Sequence, residues 1–423
     1  TKDIPKQYST LLTGVMQMLG DMNHSEHSAK EQTVGVLMSD TVLFQRSHPD
    51  SFTAMTESDC TTYVKQEAVN NTLFDFAARA HRGENIEAES KQLMKTIDGD
   101  NDKLFDYITS CSFPNFYGLT LPLIKYGLAV RPVLLDNVLR YENYLNDYRH
   151  LILSYDYMKP QSIEMNKVLA DWVKNGGNLI YIGDGSDPYH KIEQVWWNSR
   201  ETVYNNPAEH LFELLFDTKT LSDGIHPIGK GQVAVWNIAP AKLTFTHAIA
   251  SQYRSFVQTA LKQKDFQWEY SNHLTVKRGP YVITEVMSNS CSDQPVVLDG
   301  LYADMLESGF PIIQKKTVMP DENAILFDFE KIGDEPVRVI GSCARIQELE
   351  CDSEQFRLMM KAADRINVFT RIRMPKEVNH IEAFDQEGNA VSMEWSWDRV
   401  SQTILLHYES QNQVVVVKGT FVV

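Results

Sequence analysis

The sequence predicts an α/β domain followed by β structure. The α/β part, residues 33–265, reads as a flavodoxin-like open parallel sheet with helices on both faces. Antiparallel β-sandwich modules follow it. Three observations carry this. Short, continuous apolar runs alternate with helical patterns between residues 33 and 265, as strands of a parallel sheet covered on both faces do. Four of these runs end at or just before an Asp: Asp40, Asp136, Asp156 and Asp184. From about residue 266 the texture changes to brief β-branched and aromatic runs between Gly, Pro, Asn and Asp, the pattern of antiparallel sandwiches.

The elements follow in order. Tyr8, Leu11, Leu12, Val15, Met16, Met18 and Leu19 fall at helical spacing within 6–23, and a polar linker closes the segment at residue 32. Thr33 to Met38 is a buried strand leading to Ser39-Asp40-Thr41. Residues 43–112 read as helix-rich, with a polar, acidic stretch at 84–103. Phe116 to Gly127 reads as a helix closed by that glycine. Ala129 to Leu135 is a strand ending at Asp136, and His150 to Ser154 another ending at Tyr155-Asp156. Residues 161–175 form an amphipathic helix with Ile163, Val168, Leu169, Trp172 and Val173 on one face, stopped by Gly176-Gly177. Asn178 to Ile182 is a strand that runs into Gly183-Asp184-Gly185-Ser186-Asp187. His210 to Phe216 is a short helix, Gln232 to Trp236 a strand, and 248–263 a last helix. Beyond it, β runs at 281–287, 296–298, 324–329, 337–340, 366–372, 403–408 and 413–417 predict one module over 266–340 and a second over 341–423. Crossover handedness makes the flavodoxin-like order the economical topology for the first domain.

Composition narrows the function classes. The chain has 423 residues, 43% of them hydrophobic, and a formal net charge of −16. An acidic chain without clustered Lys and Arg argues against nucleic acid and anionic membranes as partners. It fits handling of neutral or cationic ligands. No apolar run approaches the ~20 residues that span a bilayer. The start, Thr1-Lys2-Asp3-Ile4-Pro5, has no signal-peptide character and reads like a start in mid-protein, so the compartment stays open, with the cytoplasm favoured. The cysteines (Cys60, Cys111, Cys291, Cys343, Cys351) are odd in number with no CxxC pair, which predicts reduced, mostly buried thiols rather than disulfides or a zinc ribbon.

Open α/β sheets bind ligands at the C-terminal edge of their strands. The candidate crevice there comprises Asp40, Asp136, Tyr155, Asp156, Asp184, Asp187, Tyr189 and His190, with Tyr157 beside them. Converging carboxylates can perform acid–base work or hold a cation. Asp is equally the ordinary cap and turn residue of strand-to-helix junctions. The 183–187 loop lacks the Lys-Ser/Thr ending of a P-loop and the third glycine of the dinucleotide fingerprint. No G-x-S-x-G or G-x-C-x-G elbow and no HExxH occur, and neither His81 nor His190 has a matching nucleophile, so no catalytic residue, cofactor or metal is assigned. Trp196 and Trp197 are candidate sugar-stacking residues, as are Trp395 and Trp397; packing in a core or interface is the competing role.

The stretches FPNFYGLTLPLIKYGLAVRPVLL and YRHLILSYDYMKPQSIEMNKVLADWVKNGGNLIYIGD, within Phe113 to Asp184, resemble the middle domain of family 42 β-galactosidases. The shared elements are a helix ending in Gly, a Tyr-x-x-Leu-Ile strand, a helix, and Gly-Gly followed by a strand. Lys277 to Ile283 and the stretch from Met319-Pro320 to Asp328 are similar to β modules that follow such domains. The resemblance covers about half the chain. It implies a class-I glutamine-amidotransferase-like fold, frequently a trimerisation domain. That family's catalytic (β/α)8 barrel, ~250 residues long, has no room before residue 33. The amidotransferase nucleophile Cys is absent too, so no catalytic residue carries over. The resemblance thus implies a non-catalytic region of a glycoside-hydrolase-like protein, which oligomerises or completes a carbohydrate cleft. A stand-alone hydrolase using the edge carboxylates and a carbohydrate-binding protein are the alternatives.

Overall fold

The structure, a computed structural model, describes residues 6–22, 34–41, 112–156, 158–192, 195–200, 202, 204–244, 247–333 and 335–422. The stretch read as helix-rich falls outside these up to residue 111, as do Tyr157, His81, Cys60 and Cys111. The chain divides into two compact units, Lys30–Tyr270 and a second made of Thr1–Ala29 with Ser271–Val423.

The first unit is a six-stranded sheet. Its strands are β1 (Val34–Met38), β2 (Val130–Leu134), β3 (His150–Leu153), β4 (Asn178–Ile182), β5 (Gly224–Ile228) and β6 (Gly231–Trp236), in the order β2-β1-β3-β4-β6-β5. The pairs β2/β1, β1/β3, β3/β4 and β4/β6 are parallel. The expectation of a wholly parallel sheet needs correction at one edge, where β5 runs antiparallel to β6. That strand (GIHPI) is half-buried and contains Pro227, so it has no apolar run to announce it. Proline, lacking a donor, is confined to such edges.

Side chains of a strand alternate between faces, and β4 shows what covers each. Its Asn178 donates to the carbonyl of Ala260, on the helix His247–Lys262. Its Tyr181 makes an edge-to-face contact with Phe212, on the helix Pro207–Phe216. Odd and even residues of β4 therefore meet helices on opposite sides. All five residues of β4 are buried, as are all four of β3, and burial on both faces is why these runs are continuously apolar. The helix of Ser112–Ile124 ends earlier than its pattern suggests, but Gly127 still closes the turn. Its N–H reaches the carbonyl of Ile124, with φ at +80°, a conformation that glycine adopts without steric cost.

Among its described residues, the second unit is β apart from the helix Lys6–Met22 and one short turn. A five-stranded antiparallel sheet spans His273–Asp328. Two four-stranded sheets follow over Arg338–Phe421 and share one core, including Phe356, Leu358 and Met360 from one sheet and Val368, Ile404 and Leu406 from the other. Alternate burial along Gln355–Lys361 leaves the residues between them half-buried or exposed, the mark of a sandwich. The N-terminal helix belongs to this unit. Met18 and Met22 are buried with Tyr281, Phe310 and Ile340, and Asp21 accepts from the Tyr281 hydroxyl at 2.8 Å and from Arg338 at 3.0 Å. The thiols are more varied than expected: Cys343 is buried, Cys351 half-buried and Cys291 exposed. Cys291 sits in a polar turn that has no core to enter.

Candidate functional site

Parallel pairing puts the turns after β1, β2, β3 and β4 on one edge of the sheet. Asp40, Asp136, Asp156 and Asp184 all lie there. Their hydrogen bonds fall into two sets, which Lys159 joins. In the first, Asp136 is buried and accepts from the Ser39 hydroxyl at 3.1 Å and from the Asp40 N–H at 3.0 Å. It ties the end of β1 to the end of β2, while Asp40 itself is exposed. Thr41 extends the seam, donating its hydroxyl to the Lys159 carbonyl at 2.6 Å and accepting from the Lys159 N–H at 2.8 Å.

The second group is centred on Asp156, which is 3% exposed. Its Oδ2 accepts the Asp184 N–H at 2.8 Å, and its Oδ1 lies 3.0 Å from Nε2 of His190. Burial and the neighbouring Asp184 carboxylate raise the Asp156 carboxyl to about 7; Lys159 and the N–H groups of Asp184 and Gly185 oppose that rise. Burial and the Lys159 ammonium push His190 down to about 3. The contact between them is therefore a hydrogen bond of a neutral imidazole rather than an ion pair. Nδ1 of His190 is buried with no hydrogen-bond partner among the described residues. We assign the ring proton to Nε2, because the other tautomer would leave a buried N–H donor unmet. Lys159 completes the group, donating to Asp187 Oδ2 at 2.5 Å and to the Tyr155 carbonyl at 2.7 Å.

Local sequence explains the close approach at Gly183. A Cβ there would sit 2.8 Å from the Tyr181 hydroxyl and 3.0 Å from Asp156 Oδ2. Only glycine lets the chain cross the carboxyl at that distance. Asp184 is the one partly open carboxylate of the group, with its side chain 25% exposed. It accepts from the N–H groups of Ser186 and Ala239, both at 3.1 Å, and lies 4.0 Å from the Lys242 ammonium.

The remaining candidate residues lie nearby in different roles. Tyr155 is wholly buried and points inward, donating to Asn166 at 2.5 Å. Tyr189 lies on the same short helical turn as His190, Pro188–Lys191. Trp197 is buried and donates to the His190 carbonyl at 3.0 Å, so it clamps that turn and has no face for a sugar. Trp196, half-buried, donates to the Pro160 carbonyl at 2.7 Å and packs edge-on against Trp197 and His210.

No protein-family description matches this chain and no curated protein matches it. Among solved structures, a β-galactosidase from Bacillus circulans sp. alkalophilus is similar at 10% identity and a TM-score of 0.32, over 51% of this chain and 37% of that one. A family 42 β-galactosidase from G. stearothermophilus is similar at 12% identity and a TM-score of 0.31, over 51% and 36%. A family 31 dextranase from Flavobacterium johnsoniae gives 10% identity and a TM-score of 0.20, over 75% and 48%. The chain thus spans about a third of the length of the first two.

Two members of this network, Lys159 and Asn166, are not among the candidates named from the sequence. Lys159 follows a strand end with no periodic signal. Asn166 does leave one: it interrupts the buried stripe Met165, Leu169, Ala170, Val173 of its helix. A polar residue on an apolar face needs a buried partner, here Tyr155 and the Pro207 carbonyl. Among the described residues no group of three His, Cys, Asp or Glu side chains is arranged to hold a metal ion, and no helix is long and apolar enough to cross a membrane.

Proposed function

We propose that this chain is a non-catalytic region of a glycoside-hydrolase-like protein. In this reading its α/β unit is a flavodoxin-like, glutamine-amidotransferase-like domain that self-associates and helps shape a carbohydrate cleft. The observation that carries the reading is how the edge carboxylates are used. Asp136, Asp156 and Asp187 are each buried and engaged by the protein's own N–H, hydroxyl, imidazole or ammonium groups. Glycoside hydrolysis needs two carboxyl groups that both reach a bound sugar, at ~5–9.5 Å from one another. A carboxylate held in an internal strut does not reach one. The family 42 pattern within Phe113 to Asp184 supports the same reading, as does the strand order β2-β1-β3-β4-β6. The purified chain should show no turnover of aryl glycosides, and light scattering should show an oligomer at tens of micromolar, roughly the range of weak contacts. Turnover, or a strict monomer, counts against it.

One observation favours a second reading, a stand-alone hydrolase. Asp156 is raised to about 7 beside the partly open Asp184, and a carboxyl that keeps its proton to near neutral pH is suited to general-acid work. If that is the activity, Asp184→Asn abolishes a measurable turnover.

A further inference from the structure

A cleft of the α/β unit lies on the other edge of the sheet. It occupies about 740 Å³ between residues 138–150, which lead into β3, and the C-terminal end of the helix Ile163–Lys174. That volume is in the range of small-molecule sites, ~300–1,000 Å³. Since His150 begins β3 and Gly177 immediately precedes β4, this is the N-terminal edge, away from all the aspartates described above.

Aromatic rings form its walls. Tyr144 packs against both Tyr141 and Tyr148, with ring centroids 6.4 and 6.1 Å apart. Arg131 lies over the Tyr148 ring at 5.2 Å, and Trp172 is held in place by donating to the carbonyls of Leu145 and Tyr148 at 3.1 and 3.2 Å. Tyr141 is different: it is 61% exposed, so its ring is open to a ligand. Amides stand around these rings. Among the described residues, the side chains of Asn143, Asn146 and Asn175 make no hydrogen bond within the protein. The charges at the cleft balance. Glu142 and Asp171 are matched by Arg149 and Lys264, and the Lys264 ammonium is already engaged by the Lys230 carbonyl at 2.7 Å.

This combination selects a ligand chemistry. Balanced charge, with one cation already engaged, gives no hold on a phosphate or other anion. Three unused amides would lose their water and gain no partner under a wholly apolar ligand. A neutral polyhydroxylated ring satisfies both features: its hydroxyls pair with amides and carboxylates, and its C–H face lies on an aromatic ring. We propose that this cleft is a carbohydrate-binding site for a neutral oligosaccharide, with Tyr141 as its stacking platform and Asn143, Asn146 and Asn175 as its hydroxyl partners. The site does not depend on the non-catalytic reading, because it uses none of the residues at the aspartate edge.

Titration of the full chain with cellotetraose, maltotetraose and lactose, followed by calorimetry, tests it. At least one of them should bind with a Kd of ~1 mM or tighter. Tyr141→Ala should weaken that binding by about tenfold, the loss of one stacking contact, whereas Tyr141→Phe should keep it within about threefold. Asn143→Ala should weaken it independently. Trp395→Ala, on the second unit, should leave it unchanged. Because Tyr141 is exposed, its variants should keep the wild-type circular dichroism and Tm. Absence of binding by all three sugars at 10 mM, ~2.7 kcal/mol, overturns the proposal. So does binding that Tyr141→Ala leaves intact, and binding that Trp395→Ala removes places the sugar elsewhere and overturns it too.

Discussion

Asp156 and His190 are each displaced in the direction that burial dictates, and their effects on stability have opposite signs. The folded Asp156 carboxyl titrates near 7 against 3.8 ordinarily, so the folded state holds its proton more tightly. Its contribution is fully present below 3.8 and is lost as pH rises toward 7. The folded imidazole titrates near 3 against 6.5, so the unfolded state takes up that proton first. Its contribution is present above 6.5 and is lost as pH falls toward 3. Between about 4 and 6.5 the two slopes oppose one another. Asp156→Asn removes one of them. The difference in Tm, variant minus wild type, should therefore move in the variant's favour as pH rises from 4 to 7; a flat difference would show that Asp156 is ionised throughout. Gly183 offers a steric test at the same place. With a Cβ 2.8 Å from the Tyr181 hydroxyl, Gly183→Ala should cost ~1–3 kcal/mol, the usual penalty of overpacking, read as a lower urea midpoint at unchanged slope.

Among the elements, the helix Pro207–Phe216 has a well-defined start. Asn206 accepts from the N–H groups of Ala208 and Glu209 at 2.9 and 3.3 Å, and Pro207 occupies the first turn, where no N–H is needed. Asn206→Ala should lower stability by ~1 kcal/mol; urea unfolding would measure it, and an unchanged midpoint would mean that packing alone holds the helix. The apolar pattern marks this helix only from His210 onward. Its first turn carries the cap rather than apolar residues, so periodicity does not register it. The strands Asn178–Ile182 and His150–Leu153 are legible because both their faces are buried. The strand Ile312–Val318 is not. Most of its residues are half-buried or exposed, as on a sheet's outer strand, and its lysines interrupt any apolar run.

At the level of the whole molecule, each unit has its own core. The α/β unit is built around residues such as Val36, Ile152, Ile180 and Val235, and the β unit around Leu358, Val368, Leu406 and Val417. Separate cores unfold as separate cooperative units. Calorimetry should resolve two transitions. Gly183→Ala should lower one, and Asp21→Ala the other, because Asp21 joins the N-terminal helix to Tyr281 and Arg338. A single transition shifted equally by both variants would refute this.

Local chemistry alone suffices for the alternation of strands and helices, their approximate limits, and the placement of four aspartates on one sheet edge. Continuous apolar runs, a helical period, and strands that run parallel when long connections join them carry all three. The chemistry of that edge is a tertiary matter. Whether Asp156 meets a ligand or an imidazole depends on His190 and Lys159, which come from different turns, and no spacing rule links them. The N-terminal helix behaves the same way. Its period is plain, yet nothing local says that Met18 and Met22 are buried beside Tyr281 and Ile340, with the α/β unit lying between them in sequence. Pairing across such a separation is set by the shape and polarity of the complementary surface, which exists only once the β strands have assembled.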